Sequence, residues 1–323
     1  MEFGLYVHNS GPLASPAVIR DLAVEAERRG YDGVWTNEHV MPAHELDYSW
    51  SIKDSYLPSY AVQSTLAYIA GITRRVRLGS SVQVLPFHQT YDLARAIATL
   101  DQLSDGRAVA GVAAGWNAQE MAYLGFDFAD RGPFTDEALE VMRRLWTEPA
   151  PRFEGRWHRF GPVDFEPKPR QRPHPPIWIG GNGAPSQRRV VQFGAGWLIS
   201  YRPVEWITEH VARVCKRLAR AGRSPDDVAF GMYYNLRLLR DGARIASVRD
   251  GRHAAAGNWL EGPVDAVVED LRRFVAAGLT YPIVRLYAEE PDDLFAQLRL
   301  FDEEVRPAIV TAHTAAEPVA ART

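Results

Sequence analysis

One cysteine, Cys215, stands alone among 323 residues. An internal disulfide is therefore excluded, and a reducing compartment is expected. Long apolar runs are missing as well. No stretch approaches the roughly 20 residues that a membrane-spanning helix requires. The start, Met1-Glu2-Phe3-Gly4-Leu5, lacks the basic residues and long apolar run of a signal peptide. Charge of one sign is not in surplus: 37 Lys and Arg against 40 Asp and Glu leave a formal −3, which points to neither nucleic acid nor an anionic membrane as partner. These absences describe a soluble, cytoplasmic chain. The nine histidines form no His-x-His and no His-Glu-x-x-His pattern, so no metal site is expected. A G-x-S-x-G elbow and a G-x-G-x-x-G fingerprint are also missing.

What is present is a rhythm. Eight short apolar runs, at 3–7, 33–36, 76–85, 108–114, 177–180, 197–200, 228–239 and 282–287, alternate with helical patterns. Ser15-Pro16 supplies a cap and a first-turn proline for the first helix, whose Val18, Ile19, Leu22, Ala23 and Ala26 recur at helical spacing. The runs are continuously apolar, as parallel strands buried on both faces must be. Eight strand–helix units without an internal linker predict one (β/α)₈ TIM barrel over 1–310. A small, polar tail, 311–323, is expected to be disordered.

Two long irregular insertions break the rhythm, one at 41–58 after strand 2 and one at 147–176 before strand 5. The first carries Tyr48, Trp50 and Tyr56 and follows a strand, so it is read as an aromatic lid that lines an apolar substrate pocket. Position also marks polar residues at strand ends, where barrel chemistry collects. These are Glu38 and His39 after strand 2, Ser81 and Val82 late in strand 3, Gly115, Trp116 and Asn117 after strand 4, and Gly180, Gly181, Asn182 and Gly183 after strand 5. The glycine cluster opens a helix and offers backbone N–H groups to a phosphate. Each group has a structural alternative: His39 as a loop anchor, the glycines as turn residues, Trp116 as packing. Together they favour a cofactor site. Two readings outside redox chemistry stay open. A barrel glycoside hydrolase needs a second carboxylate beside Glu38, and a binding-only barrel would keep the glycines without a role for His39.

Four stretches carry a family resemblance: GYDGVWTNEHV (30–40), RVRLGSSVQVLPFHQTYDLARAIATLDQLSDGRAVAGVAAGW (75–116), RGPFTDEALEVMRRLWTE (131–148) and FEPKPRQRPHPPIWIGGN (165–182). The chain resembles the bacterial-luciferase-like oxidoreductases, and 131–182 is most similar to the branch that uses the deazaflavin F420. That resemblance implies a ring cofactor across the barrel rim, its phosphate near Gly181, Asn182 and Gly183. It implies a cis peptide at Ser81-Val82 behind the ring, and His39 beside its reactive edge, oriented by Glu38. It further implies a homodimer. The chain departs from the pattern in four places, one of them Val40, where luciferase has a second histidine. Glu38-His39 stands where the F420 branch has Asp-His. Ala114 stands where luciferase has a phosphate-pairing arginine, and Trp116 where F420-dependent sugar-phosphate dehydrogenases have a catalytic glutamate. The expectation is an F420-dependent hydride transfer with His39 moving the proton. The alternative is an FMN-dependent monooxygenase served by a separate FMN reductase.

Overall fold

The computed structural model describes residues 1–41, 57–200, 202–239 and 259–315. In chain order the strands are β1 (Gly4–Tyr6), β2 (Gly33–Thr36), β3 (Arg77–Ser80), β4 (Gln83–Val84), β5 (Ala108–Ala113), β6 (Phe153–Glu154), β7 (Arg159–Phe160), β8 (Ile177–Gly180), β9 (Gly196–Ile199), β10 (Ala229–Leu238), β11 (Trp259–Gly262) and β12 (Tyr281–Leu286). The helices are α1 (Pro16–Arg28), α2 (Val62–Ile72), α3 (Thr90–Leu103), α4 (Ala118–Tyr123), α5 (Arg131–Thr147), α6 (Ala184–Phe193), α7 (Val204–Arg220), α8 (Val264–Ala276), α9 (Pro291–Leu300) and α10 (Arg306–Ala315). Apart from the β6–β7 hairpin, the named pairings are parallel, and helices separate the strands. The fold class is the expected (β/α)₈ barrel.

The chain divides into two compact units. In the first, Val7–Leu198, the strand order is β2-β3-β5-β8-β9, with β4 extending the path of β3 beside β5. Ser15 accepts from Val18 N–H to cap α1, which buries Val18, Ile19, Leu22, Ala23 and Ala26. Trp35 on β2 and Trp178 on β8 are both buried. Their ring centroids lie 4.8 Å apart although β3 and β5 separate the two strands. Such contact requires the sheet to curl. Two glycines make room for the rings: a Cβ on Gly79 would lie 2.6 Å from the Trp35 ring, and one on Gly196 would lie 2.2 Å from that of Trp178.

The second unit comprises Met1–Tyr6 and Ile199–Thr323. Here the order is β11-β10-β12-β1, with Gly4 opposite Ile283 and Gly231 opposite Tyr281. Phe3 packs edge-on against Phe301 at 6.2 Å. The Gln297 amide closes the open end of β10, accepting from Leu238 N–H at 2.7 Å and donating to Leu238 O at 2.9 Å.

The structure departs from expectation in four elements. Strand β11 was not anticipated, because Trp-Leu-Glu-Gly is too short and too polar to read as a buried run. Helix α4 has six residues, fewer than two turns, so periodicity cannot reveal it. Part of the insertion before β8 folds as the β6–β7 hairpin. Finally, α9 continues through a π-helical turn at Phe301–Val305 into α10. The boundary expected at residue 311 therefore falls inside a helix ending at Ala315, and residues 316–323 lie outside the described set. Among the described residues, no helix is long and apolar enough to cross a membrane.

Candidate functional site

The rim beyond β2 is built by hydrogen bonds rather than by regular structure. Asn9 accepts from Asn37 N–H at 3.0 Å and donates to Asn37 O at 2.8 Å and Tyr60 O at 3.0 Å. Ser59 donates to His39 O at 3.0 Å. These bonds hold the backbone of 37–39 at the strand exit.

Glu38 and His39 then diverge. The Glu38 carboxylate accepts from Val84 N–H at 2.7 Å and meets His88 Nε2 at 2.9 and 3.0 Å. The carboxylate at His39 is instead Glu120, 2.9 Å from Nδ1. Glu38 is thus engaged with Val84 and His88, and the carboxylate contact of the His39 ring is with Glu120. The expected pairing is corrected accordingly.

Glu120 is fully buried and is delivered by α4. Asn117 caps that helix, accepting from Glu120 N–H at 3.1 Å, and its amide lies 3.3 Å from Glu120 Oε2. The other carboxylate oxygen accepts from Val40 N–H at 2.6 Å and Met41 N–H at 2.9 Å. Burial pushes this carboxyl up, but the bonds from His39, Met41 and Val40 outweigh it, and the net shift is downward. An ionised carboxylate only accepts, so His39 donates to it from Nδ1, and the neutral form of the ring has its lone pair on Nε2. Trp116, 44% exposed, meets the His39 ring edge-on with centroids 6.0 Å apart.

The expected cofactor residues lie in the same unit. Ser81-Val82 is a cis peptide, as the resemblance implied. Ser81, Val82, Ala113, Ala114 and Gly115 are half-buried at the strand ends. A Cβ on Gly180 would lie 2.7 Å from Val82 Cγ1 and 3.2 Å from Ala113 Cβ, so β8 passes these small residues at closest approach. Gly115 adopts φ +80, and a Cβ there would press Met121 and Val84 at 2.5 and 2.6 Å. The result is a floor of small side chains, suited to a flat ring.

The glycine cluster needs one correction. Gly181 N–H donates to Leu198 O at 3.1 Å, and Trp197 Nε1 donates to Gly181 O at 2.7 Å. Its peptide belongs to the sheet, and Gly180 is itself paired with Leu198. The N–H groups that fit a phosphate are those of the first turn of α6, which opens at Gly183 without a side-chain cap. The two arginines of that helix are committed elsewhere: Arg188 and Arg189 both bond Asp136, at 2.6 and 2.7 Å. Tyr48, Trp50 and Tyr56 lie outside the described residues. Sequence reading passed over His88 and Glu120. The Asn117-x-x-Glu120 spacing of a capped helix start was the available signal for the second.

Residues 1–244 match the family described as luciferase-like monooxygenase. A Mycobacterium tuberculosis protein of uncharacterised function is 33% identical over 231 residues, 69% of this chain and 80% of that one. An F420-dependent glucose-6-phosphate dehydrogenase from Kineococcus radiotolerans is 31% identical over 57% of this chain and 52% of its own. Among solved structures, a monooxygenase from Streptomyces bottropensis superimposes with TM-score 0.82 at 27% identity, over 95% of this chain and 99% of that one. An F420-dependent secondary alcohol dehydrogenase in complex with an F420–acetone adduct gives TM-score 0.79 at 17% identity, over 95% and 98%. The oxygenating constituent of a Pseudomonas putida Baeyer–Villiger monooxygenase, in complex with FMN, gives 0.75 at 18%, also over 95% and 98%. At such identities the last two share the fold.

Proposed function

We propose, from the premise that this chain belongs to the luciferase-like monooxygenase family, that it is an F420-dependent oxidoreductase acting on a small, apolar organic substrate. The observation that carries the choice of cofactor is the charge around the phosphate position. Ala114 offers no cation, and Arg188 and Arg189 are bound to Asp136. The first turn of α6 contributes the equivalent of roughly half a positive charge. That balances the single charge of the F420 phosphodiester better than the nearly double charge of the FMN phosphomonoester. The F420-dependent relative supports the same reading.

When bound, the deazaflavin supplies or accepts a hydride at C5 and reacts poorly with oxygen. The chain's residues handle the rest. Ser81, Val82, Gly115 and Gly180 would form the floor under the ring, and the first turn of α6 would hold the phosphate. With its proton on Nδ1, His39 has Nε2 as the basic atom. It takes the hydroxyl proton when an alcohol loses hydride, and as imidazolium returns it when a carbonyl gains one. Trp116 lines the wall beside His39, and the role of apolar cover is assigned to Tyr48, Trp50 and Tyr56, which lie outside the described residues. The working protein is read as a cytoplasmic homodimer.

The second reading is an FMN-dependent monooxygenase supplied with reduced flavin by a separate reductase, favoured by the likeness to the Streptomyces bottropensis enzyme. Equilibrium titration of the purified protein with each cofactor, followed by absorbance, separates the two. Tighter binding of F420 than of FMN supports the first. Micromolar FMN binding with none for F420 replaces it by the second.

A further inference from the structure

We infer that Glu120 is the positioning residue of this site, fixing the tautomer of the neutral His39 ring and holding the two peptides that follow it with the same carboxylate. The inference rests on the reading of His39 as the acid–base group. One oxygen, Oε2, meets His39 Nδ1 at 2.9 Å and the Asn117 amide at 3.3 Å. The other, Oε1, accepts from Val40 and Met41 N–H at 2.6 and 2.9 Å. Four donors on one fully buried carboxylate leave it no role as a proton carrier. Its charge is what the donors compensate, and removing it leaves them unpaired.

The geometry divides the work between the two oxygens. Oε2 holds the ring, so the proton stays on Nδ1 and the lone pair on Nε2. Without it the two neutral tautomers of an imidazole interconvert, and the fraction with a basic Nε2 falls. Oε1 holds the first two peptides beyond His39, those of Val40 and Met41. A shift of this carboxylate therefore moves the base and these two peptides together. His158 shows the same device elsewhere in this unit: Glu137 accepts from His158 Nδ1 at 2.8 Å and from Arg156, Trp157 and His158 N–H at 2.9, 2.9 and 2.7 Å. There the other ring nitrogen is bonded to Thr90 Oγ1 at 2.7 Å, and the result is a structural clamp.

The test is nuclear magnetic resonance on full-length protein carrying ¹⁵N-histidine, with His39 assigned by its loss in His39→Gln. In the wild type, at a pH high enough to leave the ring neutral, His39 should give the pattern of the Nδ1–H tautomer. In Glu120→Gln the pattern should move to a mixture of tautomers. The amides of Val40 and Met41 should exchange with solvent about tenfold faster or more, the loss expected for a charge-assisted bond made neutral. Glu120→Asp, which keeps the charge and loses reach, should restore the tautomer more than the amide protection. An Nε2–H pattern in the wild type overturns the inference whether or not any variant folds. So do unchanged His39 shifts in a folded Glu120→Gln protein. Turnover by His39→Ala at the wild-type rate would count against the acid–base reading of His39 and leave these spectra as they are.

Discussion

His88 Nε2 lies 2.9 Å from Glu38 Oε1 and 3.0 Å from Oε2, while Val84 N–H donates to that carboxylate at 2.7 Å. The contact ties the turn Leu85–Phe87 and the residues flanking it to the end of β2. Glu38 is 9% exposed, so losing its charge weakens the bonds to the buried Val84 N–H and the half-buried His88 ring. Glu38→Gln and His88→Ala should each lower the free energy of unfolding by about 1–3 kcal/mol. Because both remove the same contact, the double variant should cost less than the sum, with a coupling of about 1 kcal/mol. Urea denaturation of the four proteins measures this. Additive losses would mean that the pair contributes nothing beyond its separate packing.

His39→Ala separates chemistry from scaffolding. The ring is bonded to Glu120 and touches Trp116, but it belongs to the rim and not to the apolar core. Cofactor affinity and secondary structure should stay near wild type. The half-reaction with substrate should slow by about 10²- to 10⁴-fold, the usual contribution of a positioned acid or base. Stopped-flow absorbance of the bound cofactor reads the rate. An unchanged rate with a lowered Tm would make His39 a loop anchor.

Much of the fold was legible because it is local. The sequence predicts helices over 184–193 and 204–220, and α6 and α7 have those bounds, since amphipathic spacing and a proline or glycine at the start mark both. Pairing across the sheet was not legible. That Gly79 and Gly196 exist to admit Trp35 and Trp178 is a relation between strands far apart in sequence, with no local signature. The candidate site follows the same division. His39 was marked by its place after a strand. Its carboxylate was assigned to the neighbour, Glu38, when the residue that reaches it is Glu120, 81 positions away. Adjacency in sequence does not decide which side chains meet, and Glu120 arrives on a helix that follows a different strand.

Charge at Ala114 tests the cofactor reading. This residue is half-buried at the end of β5 and stands where luciferase has a phosphate-pairing arginine. Ala114→Arg should tighten FMN binding by about tenfold, the order expected of a charge-assisted phosphate contact partly exposed to water. F420 affinity should change less, because its phosphodiester carries one charge. Parallel titrations of both cofactors at one ionic strength decide the matter. Equal gains for the two would indicate a general electrostatic effect and not a phosphate contact at this position.

Glu137 gives a pH dependence with a definite sign. Burial raises its carboxyl, but bonds from His158, Arg156 and Trp157 outweigh that effect and the net shift is downward. A carboxyl whose folded-state value is depressed stabilises the fold above its unfolded value, near 4.3. That stabilisation is lost as the pH falls toward the folded-state value. Glu137 clamps the β6–β7 hairpin to α5 through four bonds, so Glu137→Gln should destabilise by about 2 kcal/mol at pH 7. Between about pH 4 and the onset of acid unfolding, the gap between wild type and Glu137→Gln should narrow, because the wild type progressively loses the charge that the variant never had. Thermal unfolding of both proteins across that range, in one buffer series, measures it. A gap that stays constant, or widens as the pH falls, would show that the hairpin is held by its aromatic contacts and not by this carboxylate.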